Sequence, residues 1–484
     1  MSELLNLEPK GLWKHFDKIC SIPHPSKHEE KIVAALVDFA KANNIEYKID
    51  ETGNLIMRKP ASKGMENRKG VILQAHVDMV PQKNNDTKHD FENDPILPRI
   101  EGEWIKATGT TLGADNGIGV AAALAVLEDK DLVHGPIEAL FTIDEETGMT
   151  GAFGLKAGEL EGDILLNLDS ETEGELYVGC AGGIDATIRF DFKQDAMPSS
   201  YSAFELTVKG MKGGHSGMDI ILGRGNANKT LFRILKALEA VDVRLGNING
   251  GSLRNAIPRE AFCTIAVPTD KAQEAMNIVK ELETVVKSEL SAVEPDLVIT
   301  MTEASSCEFV MDTDAAKRVV RAIYACPNGV YRMSDSMENL VETSSNLAIV
   351  KTDGDQILAC ALLRSSVDTA KADFAEMMAS VIELAGGNIE FAGGYPGWKP
   401  NMQSPILETM TSTYKKMFGS TPKVMAIHAG LECGLLGGVY KNWDMISFGP
   451  TIQNPHSPDE RVNIASVKLF WEYLTETLKN VPTK

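Results

Sequence analysis

The chain has 484 residues, 43% of them apolar and 24% charged, which is the composition of a globular protein of two or three domains. Its formal net charge of −20 argues against nucleic acid and anionic membranes as partners, because phosphate binding needs clustered Lys and Arg. The longest apolar stretch, residues 120–127, is far shorter than the roughly 20 residues that a bilayer requires.

The cysteines and the N-terminus bear on cellular location. The seven cysteines are scattered, odd in number and without a CxxC pair, which is typical of reduced thiols in the cytoplasm. The first residues show no basic segment followed by an apolar core, so no secretory signal is expected. A cytoplasmic location is therefore predicted.

The first part of the chain alternates strand-like runs with helix-favouring segments. Residues 70–75, 136–143 and 162–168 are apolar runs of strand length, and the Ala-rich residues 118–127 favour a helix. Strands separated by helices predict an α/β fold, with a mixed, largely parallel sheet flanked by helices.

Acid and imidazole side chains follow these strand-like runs directly. His76 and Asp78 end the first, Glu145 and Glu146 follow the second, and Asp169 follows the third. Open α/β sheets place ligands at the carboxyl ends of their strands. These side chains are therefore expected to share a site.

The pattern of strand-like and helix-like segments changes after residue 194. Segments resembling strands and amphipathic helices follow at residues 204–210, 226–240, 262–267 and 271–289. The α/β texture returns near residue 395. We predict an α+β lid domain at residues 196–394, inserted into a catalytic domain that comprises residues 1–195 and 395–484.

Five residues have the types and contexts expected of a two-zinc hydrolase site: His76, Asp115, Glu146, Asp169 and His456. Zinc in a hydrolase takes nitrogen and oxygen ligands and keeps one position open for water. A two-metal site also needs a carboxylate that bridges ions roughly 3.5–4 Å apart. Asp115 suits this bridging role because it lies in a tight, Gly-flanked turn before a helix. The prolines around His456-Ser457 stiffen the loop that holds the imidazole.

Two further acids are expected to act in catalysis. Glu145 is placed to take a proton from the attacking water and to pass it to the leaving amine. Asp78, two residues from His76 on the same strand face, can accept the other N–H of the imidazole and fix its tautomer. Each pattern alone is more often an ordinary turn or strand end. Their joint occurrence predicts the hydrolase.

The residues as a set resemble the zinc exopeptidases that include glutamate carboxypeptidase, aminoacylase and the cytosolic dipeptidases. The likeness covers essentially the whole chain. Its most specific segments are residues 74–90 (QAHVDMVPQKNNDTKHD), 110–119 (TTLGADNGIG), 212–217 (KGGHSG), 253–260 (LRNAIPRE) and 428–434 (HAGLECG). Within the family, the chain is most similar to the bacterial dipeptidases that split Xaa-His substrates such as carnosine. The resemblance implies the zinc exopeptidase fold and a two-metal dipeptidase that acts on Xaa-His and other dipeptides.

The resemblance also implies which residues bind the metals. One ion would be held by His76, Asp115 and Asp169, and the other by Asp115, Glu146 and His456. Glu145 would be the general base and Asp78 the catalytic aspartate that orients His76. A cis peptide bond is implied after the bridging acid, between Asp115 and Asn116.

Four substrate contacts are implied more weakly. His215 matches a lid histidine that donates to the scissile carbonyl oxygen, although a loop histidine with a structural hydrogen bond is the alternative. Asn255 and Arg364 are candidates for the C-terminal carboxylate of the substrate, and a surface salt bridge is the alternative for the arginine. Glu432 is a candidate for the amino group.

The expected cofactors are two divalent metal ions, Zn²⁺ first, with Co²⁺ and Mn²⁺ as alternatives. The expected partner is a dipeptide substrate, with no nucleic acid and no membrane, and the resemblance implies a homodimer formed through the lid domain. Three other functions stay open: a related N-acyl amino acid amidohydrolase, a tripeptide aminopeptidase and a non-catalytic binding protein. A panel of substrates distinguishes them.

Overall fold

A computed structural model describes residues 2–484, and their contacts divide them into two compact units. The first unit comprises the chain up to Gly179 together with Pro400–Ala426 and Leu431–Lys484. The second comprises Cys180–Lys399 and Ile427–Gly430. Within residues 2–484 no helix combines the length and apolar character that crossing a membrane requires.

The first segment of the chain contains most of the sheet of the first unit. Its helices are α1 (Lys10–Cys20), α2 (Glu30–Ala42), α3 (Ala114–Glu128), α4 (Glu145–Gly148) and α5 (Thr150–Gly154). Its strands are β1 (Glu46–Ile49), β2 (Leu55–Lys59), β3 (Val71–His76), β4 (Pro98–Glu101), β5 (Trp104–Ala107), β6 (Ile137–Thr142), β7 (Ile164–Asn167) and β8 (Glu175–Cys180).

The middle segment forms the second unit. Its strands are β9 (Gly182–Asp191), β10 (Gln194–Asp195), β11 (Tyr201–Lys209), β12 (Gly214–His215), β13 (Arg244–Gly250), β14 (Ala256–Ile257), β15 (Ala261–Pro268), β16 (Val298–Glu303), β17 (Val310–Met311), β18 (Gly329–Met333), β19 (Val341–Asp353), β20 (Gln356–Ser365) and β21 (Asn388–Tyr395). Its helices are α6 (Ala227–Leu238), α7 (Ala272–Glu289), α8 (Thr313–Ala325) and α9 (Asp368–Leu384).

The last segment completes the first unit. It contains α10 (Pro405–Phe418), β22 (Lys423–Ile427), α11 (Glu432–Val439), β23 (Asp444–Ser447), β24 (Ile452–Gln453), β25 (Arg461–Asn463) and α12 (Ile464–Asn480). Single turns of 3₁₀ helix occur elsewhere in the chain at Glu3–Asn6, Ile220–Leu222, Glu239–Val241 and Thr269–Lys271.

The main sheet of the first unit has, among the described residues, eight strands in the order β1-β2-β6-β3-β7-β23-β8-β22. Its centre is parallel, since β3 pairs with β6 and with β7, and β23 pairs with β7, all in the same direction. Every residue of β3, β6 and β7 is buried, as expected of parallel strands covered by helices on both faces. The predicted α/β fold with a mixed, largely parallel sheet is confirmed.

The second unit is antiparallel. Its main sheet has the order β16-β11-β15-β13-β19-β20-β9-β21, and β18 pairs with β19. One face packs against helices α6 to α9 in a continuous apolar core, to which Phe232, Val319 and Phe374 belong. Because β9 and β21 pair with each other in this sheet, the compact units change near residues 180 and 399. The domain boundaries predicted at residues 195 and 394 stay a prediction.

Candidate metal centre and active site

The central parallel strands bring the predicted acids and imidazole to one edge of the sheet. His76 is the last residue of β3 and lies level with Thr142, the last residue of β6. Glu145 and Glu146 follow β6, and Asp169 follows β7. Because the three strands are parallel neighbours, the residues after their carboxyl ends lie together, as the sequence predicted.

Asp115 reaches the same edge from the start of α3. Gly113 begins the turn with φ 71°, a left-handed conformation that glycine adopts without strain. The side chain of Asn116 then donates a hydrogen bond of 2.7 Å to the carbonyl oxygen of Leu168, which precedes Asp169. The Asp115-Asn116 peptide bond is cis, as the resemblance implied. These contacts tie the turn that carries Asp115 to the end of β7.

Two groups of possible ligand atoms share Asp115. His76 Nε2 lies 3.2 Å from Asp115 Oδ1 and 3.2 Å from Asp169 Oδ1. His456 Nε2, in the loop between β24 and β25, lies 3.1 Å from Asp115 Oδ2 and 3.0 Å from Glu146 Oε2. In each group the ligand atoms lie within 4.8 Å of one another. Asp115 therefore presents one oxygen to each group, as a bridging carboxylate does.

The donor set fits two divalent cations. Backbone oxygens can only accept, so the carbonyl oxygen of Asp78, 3.1 Å from His76 Nδ1, assigns the ring proton of a neutral imidazole to Nδ1. The lone pair on Nε2 then faces two carboxylate oxygens, an arrangement that a cation between them stabilises. Glu146 Oε1 and Asp169 Oδ1 are buried and have no hydrogen-bond partner among the described residues. Imidazole nitrogen and carboxylate oxygen are ligands that zinc and related metals accept.

The charges of the site favour positive charge at this edge. Burial acts to lower the pKa of His76, but the charge of Asp169 and hydrogen bonds to nearby carboxylates outweigh it and hold that pKa well above its ordinary value. Hydrogen bonds to Asp115 and Glu146 raise the pKa of His456 to about 11. Burial raises the pKa of Asp169 to about 7, although the charge of His76 opposes the shift.

Asp78 holds the loop that carries the two glutamates. Its Oδ1 accepts the backbone N–H of Glu145 at 2.9 Å, and its Oδ2 accepts that of Glu146 at 3.2 Å and the hydroxyl of Ser26 at 2.7 Å. Its carboxylate lies 3.4 Å from His76 Nδ1, slightly farther than its own carbonyl oxygen. Burial opposes ionisation, but hydrogen bonding and the charge of His76 outweigh burial and lower the pKa of Asp78 to about 2. Asp78 can thus orient His76 and both glutamates.

Glu145 has the electrostatic character of a proton carrier. It lies with His76 and Glu146 in a further group of oxygen and nitrogen atoms within 4.8 Å. Burial raises the pKa of Glu145 well above its ordinary value, and the charges of Asp169, Glu432 and Glu146 act in the same direction against that of His76. A carboxylate with a raised pKa is suited to accept a proton and release it again near neutral pH.

Glu432, the first residue of α11, is buried with one oxygen fixed and the other without a partner. Its side chain is 1% exposed. Oε2 accepts hydrogen bonds from Gln74 Nε2 at 2.6 Å and from Thr142 Oγ1 at 2.9 Å. Oε1 has no hydrogen-bond partner among residues 2–484. Burial raises the pKa of Glu432 to about 7, with the charges of His76 and Asp169 acting in opposite directions.

The other predicted substrate contacts belong to the second unit. His215 Nδ1 accepts hydrogen bonds from the backbone N–H of Gly217 at 3.2 Å and of Met218 at 3.0 Å. Because backbone N–H groups only donate, the ring proton of neutral His215 must be on Nε2. Burial, followed by the charge of Arg364, lowers the pKa of His215 and favours this neutral form.

Arg364 and Asn255 differ in their surroundings. Arg364 is 5% exposed; its guanidinium donates to Tyr395 Oη at 3.2 Å, and its Nε has no acceptor in the described part of the chain. Buried guanidinium groups normally pair with anions, so this position is suited to a carboxylate. Asn255 is exposed, and its carbonyl oxygen accepts the N–H of Ser216 at 2.8 Å.

Several buried polar residues that contact or lie beside the predicted ones were not identified from the sequence. Gln74 and Thr142 fix Glu432, and both belong to strands that were read only as apolar runs. His428, within the HAGLECG segment, lies with Nε2 2.7 Å from Ser344 Oγ, and burial followed by the charge of Arg364 lowers the pKa of this histidine to about 3. Gln74 and His428 begin two of the most specific segments of the resemblance, but their roles depend on contacts with residues far apart in sequence, which these motifs do not show.

Comparisons with known proteins identify the family of this chain and two full-length relatives. The model for "Peptidase family M20/M25/M40" matches residues 72–480. The chain is 50% identical over 485 residues to the cytosol non-specific dipeptidase of Escherichia coli, covering 100% of both proteins. It superposes on the crystal structure of aminoacylhistidine dipeptidase from Vibrio alginolyticus with a TM-score of 0.97 and 52% identity, covering 100% of this chain and 99% of that one. A PepT aminopeptidase of Bacillus cereus shares the fold alone, with a TM-score of 0.63 and 17% identity over 98% of this chain and 99% of that one. The resemblance inferred from the sequence is confirmed.

Proposed function

This chain belongs to peptidase family M20/M25/M40, and on that premise we propose that it is a two-metal dipeptidase that hydrolyses Xaa-His and other dipeptides. The observation that carries the proposal is the pair of ligand groups that share the oxygens of Asp115. The names of both full-length relatives describe dipeptidases, which supports the reaction class. One of those names specifies aminoacylhistidine and the other is non-specific, which supports a preference that includes Xaa-His without being limited to it.

For the metals we propose the ligands that the sequence predicted. One cation is held by His76, Asp115 and Asp169, and the other by Asp115, Glu146 and His456. When bound, two such cations polarise the scissile carbonyl and lower the pKa of water, so that a nucleophile forms near neutral pH. Zn²⁺ is the proposed metal, and Co²⁺ and Mn²⁺ suit the same donors. The metal content of purified protein, measured by inductively coupled plasma mass spectrometry, tests this assignment.

The proton transfers are assigned to Glu145. It accepts a proton from the attacking water and delivers it to the amide nitrogen of the leaving amino acid. Asp78 holds the backbone N–H of Glu145 at 2.9 Å and orients His76 from the other side of its ring. Glu145 therefore transfers the proton, and Asp78 keeps Glu145 and His76 in position.

The substrate termini are assigned to two buried charged groups, each with one atom that has no hydrogen-bond partner among the described residues. Glu432 Oε1 binds the free ammonium group of the dipeptide. A buried carboxylate oxygen that has no hydrogen-bond donor is stabilised most by a positively charged donor. Arg364 binds the C-terminal carboxylate, and the exposed side chain of Asn255 assists as a neutral donor. For His215 we propose that Nε2–H donates to the carbonyl oxygen as negative charge develops there.

Glu432 also distinguishes the proposed function from an N-acyl amino acid amidohydrolase. An N-acyl amino acid amidohydrolase acts on substrates whose nitrogen is acylated and uncharged, which leaves a buried carboxylate without a cation. The substrate panel below separates a dipeptidase from a tripeptide aminopeptidase. The oxygen of Glu432 that has no partner among the described residues favours a substrate with a free ammonium group.

A substrate panel tests the proposal. Purified protein is assayed with carnosine, Ala-His, dipeptides without His, tripeptides and N-acyl amino acids, each with and without a chelator. We expect dipeptides to be cleaved faster than the other classes, and the chelator to stop the reaction. Faster cleavage of N-acyl amino acids or tripeptides would assign the chain to the corresponding alternative, and no chelator-sensitive cleavage of any class would support a non-catalytic binding protein.

Two further proposals follow from the relatives. A cytoplasmic location is supported by the name of the Escherichia coli relative and by the pattern of cysteines. A homodimer formed through the middle part of the chain is proposed from the family resemblance alone. Light scattering after size-exclusion chromatography tests the dimer, and an elution at the mass of one chain, 52.6 kDa, would contradict it.

A further inference from the structure

Glu460 joins two loops that lie far apart in sequence. It follows His456 in the same loop, immediately before β25, and its side chain is 2% exposed. Its carboxylate accepts hydrogen bonds from the backbone N–H groups of consecutive residues that lead into α3. Oε2 accepts from Leu112 and Gly113 at 2.7 and 3.0 Å, and Oε1 accepts from Ala114 and Asp115 at 2.8 and 3.3 Å.

The turn that receives these bonds has little regular structure of its own. Gly113 is left-handed, and Asp115 has φ −83° and ψ 106°, outside the helical region. The first N–H groups of a helix have no acceptor within that helix. The carboxylate of Glu460 satisfies the N–H donors of Ala114 and Asp115, which precede the regular part of α3. The backbone conformation at Asp115 is thus held by a side chain 345 residues away.

The same link affects the two ligand groups unequally. Two ligands of the group that contains His456 depend on Glu460. Glu460 lies in the same loop as His456, and its carboxylate accepts the N–H of Asp115. The group that contains His76 and Asp169 has independent support, since His76 ends β3 and Asp169 comes just after β7, the parallel neighbour of β3. Asn116 adds a direct bond from the turn to Leu168.

We propose that Glu460 is a positioning residue of the metal centre, which sets the separation of Asp115 and His456 and thereby tightens the binding of the cation held by Asp115, Glu146 and His456. The inference rests on the proposed two-metal function. Glu460 reaches neither substrate nor metal in this role and acts only through the backbone of the bridging acid. Its loss weakens one of the two metal sites more than the other.

The test compares Glu460→Gln with the parent protein in titrations of metal-free protein with Co²⁺, followed by visible absorption and by competition with a chelator of known affinity. The Gln side chain keeps one oxygen for one pair of N–H groups and turns an amide N–H₂ toward the other pair. We expect the parent to bind two Co²⁺ ions per chain. In the variant, the Kd of one site should rise at least tenfold while the other stays within threefold.

A matched control separates positioning from general stability. Glu138→Gln removes a charge from another buried glutamate of the same unit, whose Oε2 accepts the N–H groups of Glu161 and Gly162 at 2.8 Å each. This glutamate lies near the start of β6, at the sheet edge opposite the site. Its variant should lower the Tm of the metal-free protein without changing either Kd more than threefold.

A second variant at the same position guards against a failure to fold. Glu460→Asp keeps the carboxylate on a side chain one methylene shorter, and its weaker Kd should lie between those of the parent and Glu460→Gln. Equal Kd values in the parent and both variants, or an equal loss at both sites, would refute the positioning role. A parent that binds fewer than two cations would overturn the proposed function itself.

Discussion

Replacing Glu432 by Gln isolates the contribution of one buried charge to substrate recognition. The side chains have the same length, and the Gln oxygen can keep the hydrogen bonds from Gln74 and Thr142. The new N–H₂ group takes the place of Oε1, which has no partner in the described part of the chain, so that no existing bond is lost. The fold should therefore tolerate the change, with a loss of stability below about 1 kcal/mol.

The expected effect on catalysis follows from the proposed contact with the substrate ammonium. Hydrogen bonds that involve a charged group contribute roughly 1.5–3 kcal/mol, and each 1.4 kcal/mol corresponds to about a tenfold change. We expect kcat/KM for Ala-His to fall by about 10- to 150-fold. The competitive Ki of N-acetyl-Ala-His, which has no ammonium group, should change by less than about threefold.

The control is Thr142→Val, which removes one donor to the fixed oxygen of Glu432 but leaves its charge. It should lower Tm and leave the ratio between the free and the acetylated dipeptide close to that of the parent. If Glu432→Gln keeps the parent kcat/KM for Ala-His, or if both ligands weaken by the same factor, Glu432 does not bind the ammonium group.

Three further changes have defined outcomes. Glu145→Gln should lower kcat by about 10²- to 10⁴-fold, because it removes the proton acceptor, while mass spectrometry still finds the parent metal content. Arg364→Met should raise KM for dipeptides by about 10- to 150-fold but leave the Ki of a dipeptide amide nearly unchanged, because the amide lacks the carboxylate that the guanidinium binds. Dialysis against a chelator should abolish turnover and lower Tm, since ligand at 1,000 times its Kd stabilises a fold by about 4 kcal/mol, and added Zn²⁺ should restore both.

A specific result would contradict each of these three predictions. Parent turnover in Glu145→Gln would assign the proton transfer to another group. An equal loss of affinity for the dipeptide and its amide in Arg364→Met would indicate a packing defect instead of a lost carboxylate contact. Unchanged activity after the chelator has removed the metal would exclude a metal-dependent reaction.

The local sequence pattern predicted those elements whose structure depends on a single segment of the chain. The apolar runs at residues 70–75, 136–143 and 162–168 become β3, β6 and β7, because buried parallel strands are continuously apolar. Their parallel pairing then places the residues after each strand at one edge, so that His76 and Asp169 meet there without further information. The resemblance of the motifs added the pairing of Asp115 with His456, which no periodicity contains.

Contacts between segments that are distant in the sequence could not be predicted from local patterns. The change from one compact unit to the other near residues 180 and 399 goes with the pairing of β9 and β21, about 200 residues apart. Likewise, the motif identified Glu432 as a candidate. It did not predict that Gln74 fixes one of its oxygens while the other has no partner in the described structure. The polar residues within apolar strands were read as part of the core pattern.

The sequence by itself determined the chemistry of this protein: which imidazoles and carboxylates are present, that they follow strands of an α/β sheet, and that their order is that of a metallopeptidase. Only the tertiary structure decided how these groups are held. It shows Asp115 dividing its oxygens between two histidines and Glu460 fixing the turn that carries Asp115. The physical reason is that strand and helix patterns are set by neighbours along the chain, whereas the geometry of a metal centre is set by hydrogen bonds between residues that only folding brings together.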